Sequence, residues 1–397
     1  MKKVTSVLAA AITAATLSSG AYAEVDPITE AIIGGKAFGD LRLRYENDDR
    51  SNGTDSDALT LRTRIGYKTA EYEGFQAVVE FEDMREVLGI EEADDDALIL
   101  DAEVTELDQG FIQYKNDLLT AKLGRQVITL DGHRHVGHVG WRQDRQTFDA
   151  ARVMLKPLED LSVDLSYIYK VNRVNSPVFA DVSDTDITLI NVSYNTPFGK
   201  ATVYNYEIAE EPYGAGDGWD ELSTFGASFT GTTGEDLKVS YALEYASQDN
   251  DSKDASMDYM FAELGLTASG ITGKVGYSSL GSDDGNQSFA TPLATVHKFE
   301  GWADNFLGQS LFGAAGGDGV VDTYASVSGK VAGVKLVAVY HDFETDEGSA
   351  DAGDEINLLA AKKFNKYYSG GLKYADYSAP SGGTDKTVMW AWVGMSF

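Results

Sequence analysis

The sequence predicts an all-β fold, a closed antiparallel transmembrane β-barrel of about 18 strands with short turns at one end and long loops at the other. Three observations predict it. An export signal opens the chain, apolar and polar side chains alternate along most of its remaining length, and the last strand ends on an aromatic residue. We find no linker in the sequence and expect no second domain.

The N-terminal segment has the features of a secretory signal. Two lysines precede a mostly apolar run at 4–17, and Ala-Tyr-Ala at 21–23 fits the small-x-small pattern of a cleavage site. The apolar run is shorter than the roughly 20 residues that a membrane-spanning helix needs. We therefore predict a signal peptide at 1–23, a short periplasmic segment at 24–37 and the barrel at 38–397.

The dominant period of the chain after the signal is two residues. In 237–245 the odd positions are large and apolar, while the even positions are small or charged, and 41–45, 59–65 and 161–167 repeat this pattern. Such alternation places one face of a strand in an apolar medium and the other in water. The predicted strands lie near 38–47, 57–69, 75–86, 105–115, 120–127, 145–156, 161–172, 183–195, 199–209, 220–231, 236–248, 256–268, 271–280, 319–331, 333–344, 354–365, 367–378 and 386–397.

The connections between these strands favour a membrane barrel over a soluble β-sandwich, which would also alternate. Short periplasmic turns that alternate with long outer loops are typical of bacterial outer-membrane barrels. An even number of strands places both ends of the barrel in the periplasm. The short connections include 115–118, 157–160, 195–199, 269–270 and 365–366, and the long ones include 87–104, 128–144, 173–183, 209–220 and 281–318.

The C-terminal strand carries the same pattern. Counting back in twos from Phe397 gives Met395, Val393, Ala391 and Met389, which can all face lipid. This ending resembles the signal that the barrel-assembly machinery reads. We therefore expect that machinery, outer-membrane lipid and lipopolysaccharide among the partners of the protein.

The composition excludes some classes of function. The formal net charge is −31, which argues against nucleic acid as a partner, and there are no cysteines. Acidic runs at 91–96 and 346–354 fall in predicted outer loops. They suit salty water or divalent cations, but we favour the simpler interpretation of a solvated surface.

Four arginines fall on the polar face of the first two strands, and we name Arg42, Arg44, Arg62 and Arg64 the arginine patch. Arginine facing lipid is costly, so we predict that they point into the lumen. Cationic rings in pores select anions, which favours an anion-attracting wall. The alternative is that acidic neighbours neutralise the patch as wall salt bridges; the candidates are Asp40, Glu46, Glu80 and Glu82.

Loop 128–144 is basic in an acidic protein. It could bind metal, since imidazole is a common ligand, but it matches no defined zinc spacing. It could instead fold into the lumen as a constriction, or lie on the surface without a special role. The residues predicted for a constriction are His133, Arg134, His135, His138 and Trp141.

Loop 281–318 is long enough to form a lid. It carries several aromatic side chains, among them Phe289, Trp302 and Phe306, which would be poorly buried in an exposed loop. We therefore expect it to pack into the mouth of the barrel. The segment 283–286 resembles a calcium turn but lacks the distal glutamate of the full motif.

Several segments resemble the alginate-export-type porins of Gram-negative bacteria. They are the runs at 29–36 and 39–46, Leu-Gly-Arg-Gln at 123–126, Gly-Trp-Arg-Gln at 140–143, Gln-Thr-Phe-Asp-Ala at 146–150 and Lys-Phe-Glu-Gly-Trp-Ala-Asp at 298–304. The resemblance implies an outer-membrane barrel with an arginine-lined lumen. The residues that could line it are Arg42, Arg44, Arg62, Arg64, Arg125, Arg142 and Arg145.

The function expected from these observations is passive diffusion of small hydrophilic solutes, anions among them. The alternative is dedicated export of an anionic polysaccharide such as alginate. A barrel enzyme is disfavoured, because the chain has no Gly-x-Ser-x-Gly motif and only five histidines. An adhesive surface barrel is a further alternative. We expect no cofactor and no metal.

Overall fold

A computed structural model describes residues 25–89, 99–174, 182–208, 221–313 and 317–397. The predicted signal peptide 1–23 and the acidic run 91–96 lie outside these residues. Eighteen long strands form one sheet, and two further strands of two residues each form a small hairpin. The strands are β1 (Lys36–Arg50), β2 (Asp55–Lys68), β3 (Phe75–Glu86), β4 (Val104–Lys115), β5 (Leu119–Gln126), β6 (Thr147–Leu158), β7 (Leu161–Asn172), β8 (Val182–Thr196), β9 (Gly199–Ile208), β10 (Leu222–Thr233), β11 (Leu237–Asn250), β12 (Ala255–Ala268), β13 (Ile271–Leu280), β14 (Ser282–Asp283), β15 (Gln287–Ser288), β16 (Val320–Val331), β17 (Val334–Glu344), β18 (Asp351–Lys363), β19 (Tyr368–Ser378) and β20 (Lys386–Ser396).

Each long strand pairs antiparallel with the next along the chain, and β1 pairs with β20, which closes the barrel. The predicted closed barrel of 18 strands is therefore confirmed. Gly39 and Phe397 exchange backbone hydrogen bonds of 3.1 and 3.0 Å, so the first and last strands meet at the same end. Because closure leaves the sheet no free edge, each of its 18 strands has two hydrogen-bonded neighbours.

Helices are few in the described residues. Helix α1 (Pro27–Ile33) precedes the barrel, with Asp26 as its N-cap, and α2 (Leu307–Phe312) and a 3₁₀ turn (Val296–Lys298) lie between β15 and β16. None of the described helices is long and apolar enough to cross a membrane.

The turns at the end of the barrel where β1 begins and β20 ends are tight. Ser269-Gly270 and Ala332-Gly333 each connect two strands with positive φ at both residues. This is the type I′ geometry that suits the twist of a hairpin. The opposite end carries the long connections, as the sequence predicts, so the tight turns are the periplasmic ones.

Alternation along the strands separates two environments. On the outward face Phe81, Leu243 and Val275 are exposed, and so are Val393 and Phe397 of the terminal strand. An exposed apolar band of this kind is the surface that a barrel presents to lipid.

The lumen that the inward face surrounds is not empty along its whole length. Residues of the two longest described connections, such as Ile128, Val136, Phe289 and Leu293, pack with the inward strand residue Phe148 in one buried apolar cluster. The loops therefore enter the lumen and fill part of it.

The closure between β1 and β20 predicts a specific cross-link. Leu43 and Val393 are direct cross-strand partners on the outward face, and the chain has no native cysteine. The variant Leu43→Cys/Val393→Cys should form an intramolecular disulfide under mild oxidation, seen as a large mobility change of the denatured chain on a non-reducing gel. The control Leu43→Cys/Met389→Cys places the thiols about 13 Å apart and should not cross-link. Equal cross-linking of both pairs would contradict the register.

Candidate functional site

Loops 128–144 and 281–318 lie against each other inside the barrel. The amide of Gly137 donates to the carbonyl oxygen of Leu293 at 2.7 Å, and the amide of Thr295 donates to the carbonyl of His133 at 3.0 Å. Gln146 Nε2 also donates to the carbonyl of Leu293 at 3.0 Å. Because the first two bonds join main chain to main chain, the two loops form one unit across the lumen.

The arginines of β1 hold loop 128–144 by its backbone. Arg42 Nη2 donates to the carbonyl of Trp141 at 2.8 Å and to the carbonyl of Arg142 at 2.5 Å. Arg44 Nη1 donates to the same Trp141 carbonyl at 2.6 Å. A loop without regular structure needs donors for its carbonyl groups, and the wall supplies them here.

The arginines of β2 act on the next residue of the loop. Arg62 Nη1 and Arg64 Nη2 donate to the carbonyl of Gln143 at 3.4 and 3.1 Å. The Gln143 side chain is fully buried, donates to Thr60 Oγ1 at 2.8 Å and accepts from Arg42 Nε at 2.8 Å. Gln143 is absent from the residues predicted for the site, although the Gly-Trp-Arg-Gln segment contains it.

The arginine patch is also paired with acids. Arg44 lies 2.9 Å from Glu46 and also contacts Asp101, Arg62 pairs with Asp40, and Arg64 pairs with Glu82. Arg145, which was predicted to line the lumen, lies 2.6 Å from Glu80 and 2.5 Å from Asp108. The acids proposed in the alternative interpretation are therefore direct partners of these arginines.

Arg142 connects the wall to the second loop. Its guanidinium lies 2.9 Å from Glu46 on β1 and 2.9 Å from Asp304 in loop 281–318. Burial alone would lower the pKa of Arg142, but the two carboxylates outweigh burial and raise that pKa above its ordinary value. Arg142 thus remains charged and bridges three parts of the molecule.

Arg125 lies apart from these residues. It occupies the same face of β5 as the lipid-exposed Leu123, and its guanidinium lies 2.8 Å from Asp149 on β6. The structure therefore does not bring Arg125 to the lumen wall with the other predicted residues. The alternation around Leu123 is the sequence signal that indicates this.

The predicted constriction residues have separate partners. Arg134 lies 2.8 Å from Glu300 and 4.6 Å from the ring centre of Phe299, so it joins the two loops. His135 Nε2 lies 3.0 Å from Glu244 on the barrel wall. The rings of His133 and His138 are 5.5 Å apart. Within the described residues, no group of three or more His, Asp, Glu or Cys side chains could hold a metal ion.

Burial affects the imidazoles of this loop. It lowers the pKa of His138 to about 4, with His133 and Arg145 acting in the same direction. His138 is therefore neutral at physiological pH.

A buried lysine fixes both loops to the wall. The ammonium of Lys373 on β19 lies 4.1 Å from the ring centres of both Trp141 and Trp302 and 5.1 Å from that of Trp390. Trp141 and Trp302 belong to the two different loops, and the wall contributes Trp390. We call Lys373, His297 and these tryptophans the lysine latch. The faces of these rings attract the ammonium electrostatically.

The hydrogen bonds of the lysine latch define the state of His297. Lys373 Nζ lies 2.5 Å from His297 Nε2, and because an ammonium can only donate, we assign that nitrogen as the unprotonated acceptor. The other nitrogen, Nδ1, therefore holds the proton and donates to Asp304 at 2.9 Å. Burial lowers the pKa of His297 to about 4, with Lys373 and Arg142 acting in the same direction and Asp304 opposing them.

A chamber remains open on the periplasmic side of loop 128–144. Its volume is about 430 Å³, and it lies between that loop and the periplasmic halves of β5 to β9. We call it the periplasmic chamber. Its lining is mixed, with Leu130 and Met154 beside polar groups such as Asn191.

Comparison with known proteins gives one matching family and several solved structures of similar fold. The alginate export family model matches residues 37–278. The fold is similar to OccAB4 of Acinetobacter baumannii (TM-score 0.70, 12% identity, 91% of this chain and 98% of that one). It is equally similar to Pseudomonas aeruginosa OpdK with vanillate (0.71, 11%, 92% and 99%) and OccK9 (0.70, 12%, 92% and 100%). No curated protein sequence matches the chain.

The lysine latch predicts a dependence on pH. The pKa of His297 is about 4 when the loops are docked and near 6.5 when the imidazole is free in water, so the docked state binds fewer protons. Its stability is complete above about pH 6.5 and is lost as the pH falls toward 4. A protonated His297 would carry its positive charge beside those of Lys373 and Arg142, and the nearby acids are Asp304 and Glu46. Tryptophan fluorescence of the folded barrel should therefore change reversibly over this range.

The variant His297→Gln can still donate to Asp304 and accept from Lys373 but does not titrate, so it should flatten the fluorescence change. The matched control is His133→Gln, at a less buried imidazole of the other loop. An unchanged profile in His297→Gln would refute the assignment.

Proposed function

This chain belongs to the alginate export family, and we propose that it is an outer-membrane porin that passes small hydrophilic solutes by passive diffusion rather than an enzyme. The observation that carries the proposal is the 18-stranded closed barrel, shared over more than nine-tenths of the chain with outer-membrane porins. A barrel of this size is wide enough to hold an aqueous channel, whereas the interior of an eight-stranded barrel is filled by side chains.

The arrangement of the lumen supports a narrow, selective path. The two inserted loops occupy its middle, and the arginine patch holds one of them against the wall. A solute that enters from outside would pass beside these loops and reach the periplasmic chamber. Diffusion along this path needs no chemical step.

A preference for anions is the finer part of the proposal, and we assign it to Arg42. Its guanidinium donates to neutral oxygens, namely the Trp141 and Arg142 carbonyls and the Gln143 side chain. No carboxylate oxygen of the described residues lies within 4.0 Å of it. Arg42 therefore keeps an unmatched positive charge, whereas Arg44, Arg62 and Arg64 are ion-paired.

Electrical recording tests both parts of the proposal, namely passive diffusion through the barrel and the preference for anions. The purified protein in planar bilayers should give stepwise conductance, and Arg42→Gln should shift the reversal potential in a salt gradient toward cations by removing the unmatched charge. The matched control is Arg125→Gln, on the outward face, which should leave the reversal potential unchanged.

Different results would contradict the porin and the anion preference. Absence of conductance steps from well-folded protein would contradict the porin. Steps with a reversal potential that Arg42→Gln does not move would leave the porin in place and remove the anion preference.

Export of an anionic polysaccharide is the second candidate, and the family match favours it. The solute would then be a polymer that enters from the periplasmic end. Release of preloaded alginate oligomers from liposomes that contain the protein would support export, whereas release of small solutes alone would support the porin.

We also propose the assembly route expected from the sequence. Met389, Val393 and Phe397 at the C-terminal end are exposed on the outward face, where the lipid and the barrel-assembly machinery can contact them. Outer-membrane lipid and lipopolysaccharide would cover the same apolar band in the finished barrel.

A further inference from the structure

The periplasmic chamber has the size of a ligand site. Its volume of about 430 Å³ falls within the range of about 300–1,000 Å³ typical of small-molecule pockets. Three residues of loop 128–144 form its inner wall, namely Thr129, Leu130 and Asp131. The barrel strands form the rest, so the chamber is built from both the wall and the inserted loop.

The charges inside the chamber are matched in pairs. Arg152 on β6 contacts Asp164 on β7, with Nη2 to Oδ2 at 2.5 Å and Nε to Oδ1 at 3.0 Å. Lys200 Nζ donates to Asp131 Oδ1 at 2.5 Å, and Asn191 Nδ2 donates to Asp131 Oδ2 at 2.7 Å. Each cation thus has its own carboxylate. Three further charged groups, Lys115, Asp117 and Lys156, stand exposed at the rim, where water and salt screen them.

Four hydroxyl groups also line the chamber. They belong to Thr120, Thr129, Ser162 and Ser193, and none of them has a hydrogen-bond partner among the described residues. Ser162 and Ser193 are direct cross-strand partners, so their side chains stand next to each other. Leu130 and Met154 add an apolar surface.

This combination of matched ion pairs and free hydroxyl groups favours an uncharged ligand. An anion would be repelled by Asp131 and Asp164, and a cation by Arg152 and Lys200, because neither finds an unmatched partner. A neutral ligand with many hydroxyls can bond to the four free hydroxyls and to the remaining lone pairs and N–H groups of the ion pairs, which make strong hydrogen bonds. The apolar face of a sugar ring would lie against Leu130 and Met154.

We propose that the periplasmic chamber is a binding site for a neutral polyhydroxylated solute of monosaccharide or disaccharide size. The proposal rests on the proposed function in one respect, since the solute reaches the chamber through the lumen. The site is distinct from Arg42 and from the lysine latch, so it selects a solute by hydroxyl groups and not by charge.

Saturation-transfer difference NMR tests the site directly. The protein would be folded in lauryldimethylamine oxide micelles, which carry no sugar head group, and titrated with D-glucose. D-glucuronate and D-glucosamine carry one negative and one positive charge on the same pyranose ring. They should bind about tenfold more weakly, since each loses favourable hydrogen bonds and meets a like charge.

A double variant locates the site. Ser162→Ala/Ser193→Ala removes two free hydroxyls and should raise the half-saturating glucose concentration about tenfold, the loss expected for two hydrogen bonds of ordinary net strength. The matched control is Ser240→Ala/Ser326→Ala, two lumen-side hydroxyls on β11 and β16, which should leave glucose binding unchanged.

The outcomes separate this inference from the porin itself. Binding is measured without conduction, so a protein that binds glucose but gives no conductance would refute only the proposed function. Three results would overturn the inference: no saturable signal with glucose, equal binding of the charged sugars, or equal loss in the two double variants.

Discussion

The position of loop 128–144 depends on buried guanidinium groups that need oxygen partners. A buried charge is tolerated only when it is paired and hydrogen-bonded. The arginine patch meets this need with three successive backbone carbonyls, at 141, 142 and 143, and with carboxylates of the wall. The requirement is mutual, because an irregular loop inside a barrel has carbonyls that no strand can satisfy. The arginines therefore serve as structural donors for the loop, and this determines where the loop fills the lumen.

This arrangement changes how arginine content relates to selectivity. A guanidinium next to a carboxylate presents a dipole to a passing ion, and its field falls off more steeply than that of a free charge. Arg44, Arg62 and Arg64 each have such a partner, and Arg42 has only neutral acceptors. The number of lumen arginines is thus a poor measure of anion attraction, and the number without an acid is the better one.

The barrel could be predicted from the sequence because alternation is a local property, and a closed sheet repeats it in every strand. The same parity predicts that the arginine patch points inward. Partners across the lumen could not be predicted, since Gln143, His297 and Lys373 meet residues far away in sequence. Lys373 sits in an ordinary polar position of β19, and only the docked loops make it a buried cation. The family resemblance implies that Arg125 lines the lumen. The alternation along β5 indicates instead that Arg125 shares the outward face with Leu123.

The two inserted loops share their charged contacts, so neither can be positioned alone. Arg142 contacts Glu46 on the wall and Asp304 in loop 281–318, and Asp304 in turn accepts from His297 of the lysine latch. Asp131, which completes the periplasmic chamber, lies in the same loop as Arg142 and is held from the opposite wall by Lys200 and Asn191. A shift of loop 128–144 away from the arginine patch would therefore disturb both the lysine latch, which contains Trp141, and the periplasmic chamber, which contains Asp131. The space that remains in the lumen beside the loops and the shape of the chamber are consequently set by one packed unit.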